Sequence, residues 1–304
     1  MNGVMRLLSD LYEDPLILRL AGYLLVCQLV LTVFFKFVPL EGPWKQTALF
    51  SGKQVIVIGL MVYQTYLGFV YWSQEEYDYG VNPPLAVVEE DVKTSKWDGG
   101  TFMARLVLGT LLYDIPVGAL TGSVDVMMHM HHFGMFTVAS IAMGIWTQPH
   151  APLYTRYCPF FFGVVELSSI PLTIVDIFHP KKQPEWFQFA QNHPIILQIN
   201  EIARISFAIL YILLRMVYFP RVITRQVVPE ALAKLNNPQN EHYKIPILVG
   251  LIFSVLFTLL QLYWGENFYG NNQQIHQPRY SYTGIEESST YYYEFNLLQS
   301  KYES

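Results

Sequence analysis

Residues 246–264 read PILVGLIFSVLFTLLQLYW, nineteen residues with no charge and no histidine. At about 1.5 Å per residue a helix of that length covers about 28 Å, close to the roughly 30 Å of hydrocarbon in a bilayer. Working back from it, the chain carries further apolar stretches of the same kind at 16–38, 52–72, 101–122, 124–147, 159–178 and 194–219. Prolines punctuate them. Pro159, Pro194 and Pro246 stand where a helix opens and a missing N–H costs nothing, while Pro39, Pro149, Pro180 and Pro220 stand just past an end. The pattern predicts an all-α integral membrane protein of about seven transmembrane helices.

Composition agrees. Of 304 residues 52% are hydrophobic and 14% charged, against about 25% charged in a soluble globular domain, so water is not the main solvent. Residues 1–15 carry Asp10, Glu13 and Asp14 in place of a basic leader, and the first apolar run is longer than a signal-peptide core, so it is expected to stay as a helix. Cys27 and Cys158 fall in or beside spans and imply no disulfide framework. No Asn-x-Ser/Thr acceptor occurs. Loop cations give a weak orientation: Lys93, Lys96, Arg105, Arg156, Arg221, Arg225, Lys234 and Lys244 gather on one side, Lys36, Lys45, Lys53, Lys181 and Lys182 on the other.

Between the spans, 73–100 is an acidic loop whose charge keeps it in water. Residues 221–244, with Pro229 and Asn236-Asn237-Pro238, read as a polar linker. After Trp264 the chain turns to Asn, Gln, Ser and Tyr without periodicity, a composition that does not order itself. Three regions result: 1–49 with the first helix, 50–265 as the main membrane domain, and 266–304 as a polar, Tyr-rich tail.

Ionisable groups at bilayer depth cost about 3 kcal/mol or more and are kept mainly where they pair or line a cavity. Here they are Asp114, Asp125, His129, His131, His132, Glu166, Asp176, Glu201 and Arg204. Asp125, His129 and His132 stand at i, i+4 and i+7, on one helical stripe, while His131 points about a third of a turn away. A carboxylate beside a histidine suits a general base; the same cluster could instead be hydrogen-bond glue between helices. Glu166, Ser169 and Thr173 share a face, with Pro171 expected to free the Leu167 carbonyl and kink the helix. That glutamate either lines a pocket or pairs with Arg204. Arg204, Tyr211, Arg215 and Tyr218 form a stripe behind Asn200 and Glu201; Arg215 and Tyr218 read as interfacial anchors, and Arg204 as the partner of a buried carboxylate or a lipid headgroup. Asp114 precedes Gly118-x-x-x-Gly122, a spacing that lets a neighbour approach; the histidine helix is one that Asp114 could face, and the sequence leaves the choice open.

In order, Tyr113-Asp114, His131-His132, Glu166-x-Ser168-x-x-Pro171 and Arg204 to Arg215-x-x-x-x-Pro220 resemble the TLC-domain family of membrane lipid proteins, over roughly 50–265. The resemblance implies a barrel-like arrangement of six helices around a lipid-accessible cavity, preceded by one extra helix. In the ceramide synthase branch the paired histidines take part in moving an acyl group from acyl-coenzyme A to a sphingoid amine. By position that makes His131 and His132 the catalytic candidates, with Asp114 and Glu166 as polar partners in the cavity, to which the helical stripes above add Asp125, His129, Ser169 and Arg204. Ceramide synthases follow the pair with a His-Asp dipeptide and more acidic residues, whereas this helix reads Phe160-Phe161-Phe162-Gly163-Val164-Val165-Glu166. It looks closer to members tied to phospholipid composition.

The expected function is that of a multi-pass protein of lipid metabolism or homeostasis, with acyl transfer by the histidine pair as its chemistry. The alternative is a non-catalytic lipid-binding or structural subunit of a larger organellar complex, which the polar tail favours. Acyl-coenzyme A is the expected co-substrate and no bound cofactor is expected. Membrane lipids are the expected partners, with protein partners through 266–304 and no nucleic acid. The membrane is that of the endoplasmic reticulum or of another organelle such as the mitochondrial inner membrane. No metal is expected, since His150, His179, His193, His242 and His276 are isolated from the cluster and di-iron or zinc enzymes need several convergent histidines.

Overall fold

The computed structural model describes residues 14–78, 99–122, 126–146, 152–180 and 182–275, with side chains described up to residue 73 in the second helix and 264 in the last. No strand occurs among the described residues. The helices are α1 Pro15–Phe37, α2 Ala48–Asp78, α3 Gly99–Thr121, α4 Val126–Ala142, α5 Cys158–Phe162, α6 Ser169–Ile177, α7 Pro184–Gln191, α8 Pro194–Leu210, α9 Phe219–Val222, α10 Val228–Asn236 and α11 Lys244–Ile275. The chain divides into two units, 1–258 and 259–304, and the described part of the second is the end of α11.

Six described stretches are long and apolar enough to cross a membrane: Pro15–Phe37, Ala48–Ser73, Gly99–Thr121, Thr155–Ile177, Pro194–Asn236 and Pro238–Trp264. The chain is an integral, multi-pass membrane protein. The histidine helix α4 is not among the six. Its 17 helical residues reach about 26 Å at about 1.5 Å each, and both ends of the expected span, 124–125 and 147, lie outside the described residues.

Helix ends follow local chemistry. Asp14 caps α1 by accepting from the Leu16 N–H at 3.0 Å, and Arg105 of α3 donates to the same carboxylate at 2.8 Å. The acid that made the N-terminus unlike a signal leader therefore fastens α1 to α3. Gly122 closes α3 with φ +60, and a Cβ there would meet nothing within 4 Å. It terminates the helix and is not the close-approach site its spacing suggested.

Close approach occurs instead where α2 crosses the end of α5. A Cβ added to Gly68 would lie 2.5 Å from the Gly163 Cα, so only paired glycines let the two backbones touch. Gly163 (φ −133, ψ −71) also breaks the fourth of the six stretches, and Val164–Ser168 follow as a tight 3₁₀ turn. The bend expected at Pro171 thus falls at Gly163, because Pro171 lies in the first turn of α6, where its missing N–H removes no helical bond.

Pro220 does not end its helix. Residues 194–236 form one helical run, with wider π turns at Tyr211–Tyr218 and Ile223–Val227. The Phe219 N–H bonds the Leu214 carbonyl, and this looser winding accommodates the proline ring without breaking the rod. The expected linker is therefore helical, in α-helix and π turns as far as Asn236 and in a 3₁₀ turn over Pro238–Tyr243. Likewise α11 runs to Ile275, past the change in composition at Trp264, since extending an existing helix is far easier than starting one.

Two large apolar cores, with a smaller one of Leu24, Ile56, Tyr113 and Val117, hold the first unit. One gathers Ile17, Met103, Leu108, Ala139 and Phe162 from α1, α3, α4 and α5; the other gathers Trp72, Tyr157, Phe160, Val222, Val227 and Ile247. Tyr154, buried with φ 63, donates to the Ile247 carbonyl at 2.6 Å and rests on Gly250. Burial, with Glu230 nearby, pushes its phenol pKa above the ordinary value, so it stays a donor.

Candidate functional site

Lys53 stands in the second turn of α2, Asp114 two turns before the end of α3, and His132 two turns into α4. Successive helices run in opposite senses, so these positions meet at one level of the bundle. Lys53 Nζ lies 3.1 Å from Asp114 Oδ1, and His132 Nδ1 lies 3.5 Å from Asp114 Oδ2. Lysine and aspartate side chains are only 6% and 13% exposed and the histidine 14%, which makes this an ionic cluster largely out of water. Neither Asp114 Oδ1 nor His132 Nδ1 has a well-aligned hydrogen bond. The attraction is therefore mainly electrostatic.

The histidines divide. His132 faces the carboxylate, and Glu166 and His129 act on it electrostatically. His131 turns to α11, where its ring stands edge-on to Phe257 with centroids 5.2 Å apart. The small Gly134, one turn on, lets Phe257 and Phe253 come that close. The angular separation of the two rings is what helical geometry predicts for adjacent residues. Asp125, expected on the His129–His132 stripe, lies outside the described residues; the carboxylate observed at His132 comes from α3.

The α8 run supplies the other polar wall. Arg215 is 7% exposed; its Nε donates to Ser168 Oγ at 2.7 Å and its Nη2 to Ser169 Oγ at 2.8 Å. It is an interior clamp, not the interfacial anchor its position near a span end suggested, and it interacts electrostatically with His131. Thr173, on the same face as Ser169, donates back to the Ser169 carbonyl and contacts Met61 Sδ at 3.3 Å. Arg204 pairs with Glu201 at 3.8 Å, beside Asn200, which is 2% exposed with its Oδ1 lacking a hydrogen bond.

Asp114, His132 and Lys53 are thus brought together, with His129 and Glu166 acting on His132 through space, while Ser169 and Arg215 form a second group. Among the described residues no three of His, Cys, Asp and Glu converge as metal donors. Sequence reasoning missed Lys53 as an interior residue by counting it with loop cations, although it falls inside the apolar stretch 52–72. It also missed Gln28, buried in α1, which accepts from the Tyr113 hydroxyl at 2.7 Å and donates to the Leu49 carbonyl at 2.8 Å. That bridge ties α1 to the Tyr113-Asp114 turn.

No curated protein and no solved structure matches the chain. A family model described as TLC domain matches residues 20–269, from within α1 to within α11, and so takes in every residue of the cluster. The chain belongs to the TLC-domain family.

Proposed function

We propose that this protein is a lipid acyltransferase in which His132 acts as general base. The observation that carries the reading is the approach of Asp114 to His132 Nδ1. A carboxylate at Nδ1 favours the tautomer with its proton there and leaves Nε2 as the basic nitrogen. A lipid hydroxyl or amine loses its proton to Nε2 as it attacks the thioester carbonyl of acyl-coenzyme A. The carbon–sulfur bond then breaks, and the coenzyme A thiolate recovers that proton from the imidazolium. Seven spans, with α4 as the seventh, and a barrel around a lipid-accessible cavity complete the reading. The branch proposed is the one outside ceramide synthesis, because the helix after the histidines carries Phe160 to Glu166 in place of further acids.

The test is acyl transfer in proteoliposomes, with radiolabelled acyl-coenzyme A and a panel of lysophospholipids and sphingoid bases as acceptors. His132→Ala is expected to lower product formation by about 10²–10⁴-fold while the protein still elutes as a folded species. Undiminished transfer in that variant removes His132 as the base. Absence of transfer by the native protein with every acceptor assigns the bundle a binding or scaffolding role.

A further inference from the structure

Lys53 takes no part in the acyl transfer just described, yet it is 5% exposed inside a helix long enough to span a membrane. An ammonium at that depth is kept only with a counter-charge. Its counter-charge is Asp114, at 3.1 Å, and the other oxygen of the same carboxylate faces His132. One negative group therefore sits between two groups that can each carry a proton. Out of water, one cation beside one anion is favoured over two. Of the two, the Lys53 ammonium is the nearer to the carboxylate, 3.1 Å against 3.5 Å for His132 Nδ1, and so takes the place of the counter-ion.

We infer that Lys53 is a positioning residue: by serving as the counter-ion of Asp114 it leaves His132 a neutral imidazole with Nδ1–H toward the carboxylate and a free lone pair on Nε2. The inference rests on the proposed use of His132 as a base, but its test needs no turnover. Among the described residues the charged and titratable groups acting on His132 are Asp114 from α3, Lys53 from α2, Glu166 from the 164–168 turn and His129 from its own helix, with His131 beside it at a ring separation of 6.0 Å. Once Lys53 is replaced by a neutral residue, His132 is the base left beside the Asp114 carboxylate, so the imidazole becomes its counter-ion.

The experiment is ¹⁵N NMR at neutral pH of the full chain in lipid bilayers, with histidine labelled at both ring nitrogens and His132 assigned by difference against His132→Gln. The native protein and Lys53→Arg are expected to give the two widely separated signals of a neutral ring. Lys53→Met and the more conservative Lys53→Gln are expected to give the two closely spaced signals of imidazolium. An imidazolium in the native protein, or a neutral ring in both neutral variants, overturns the inference. A neutral native ring with no acyl transfer leaves it standing and removes only the reaction proposed above.

Discussion

Arg215 Nε donates to Ser168 Oγ at 2.7 Å, so a guanidinium on the long 194–236 run holds the turn that carries Glu166. A second bond, to Ser169 Oγ, makes the contact a fork. This fork positions the Glu-x-Ser-x-x-Pro segment against the α8 run and keeps a permanent cation in the interior beside the histidine helix.

Arg215→Lys keeps the charge but loses the planar pair of donors. The expected cost is about 1–3 kcal/mol, from two buried hydroxyls that lose a charged partner. Thermal unfolding in detergent, followed by tryptophan fluorescence, measures it; an unchanged midpoint would show that the fork holds nothing in place.

The Gly68–Gly163 crossing makes a sharper prediction. A Cβ on Gly163 would sit 2.6 Å from the Pro159 carbonyl oxygen and 2.8 Å from that of Gln64, both backbone atoms that cannot swing aside. Gly163→Ala is expected to lose about 3 kcal/mol or more, the upper end for overpacking, and to yield little folded protein. Gly59→Ala is the control: nothing lies within 4 Å of the added carbon, and helix propensity alone makes it neutral or stabilising by up to about 1 kcal/mol. Size-exclusion profiles of both variants decide the matter.

Glu230, 5% exposed, accepts from the Tyr157 hydroxyl at 2.6 Å and pairs with Lys234 at 2.7 Å and Arg156 at 3.2 Å. Glu230→Ala leaves these cations beside no carboxylate and is expected to cost about 3–5 kcal/mol. Tyr157→Phe removes one bond to a charged group, an expected loss of about 1.5–3 kcal/mol. Unfolding midpoints of the two variants should rank in that order, and the reverse order would mean that the tyrosine, not the ion cluster, joins α5 to α10.

The two adjacent histidines should separate in function. With His132 as base, His132→Ala is expected to lower turnover by about 10²–10⁴-fold, the usual contribution of a positioned base. His131→Phe preserves the aromatic contact with Phe257 and is expected to keep turnover within tenfold. Initial rates in proteoliposomes test this, and equal losses in both variants would make the histidines a catalytic pair, as the family resemblance alone suggests.

The membrane class was legible in 246–264 and its companions, because the hydrocarbon thickness sets a length that composition either meets or misses. The family resemblance was legible in the order of four short motifs, and helical periodicity foretold that His131 and His132 diverge. Punctuation by proline was less dependable. Pro39 and Pro180 follow helix ends, but Pro220 sits inside a continuous run, since π turns can absorb a ring that hydropathy and propensity treat as a stop.

What the sequence determined by itself was therefore that the chain is built of helices apolar enough to cross a membrane, and that several side chains within them are too polar to be there without a partner. Who the partners are was decided only by the tertiary structure. Lys53 was counted with loop cations and Arg215 with interfacial anchors, yet one is the counter-ion of Asp114 and the other the clamp on Ser168. The reason is physical: the periodicity of a helix fixes which side chains share its face, but the neighbour across that face depends on how separate helices rotate and settle against one another.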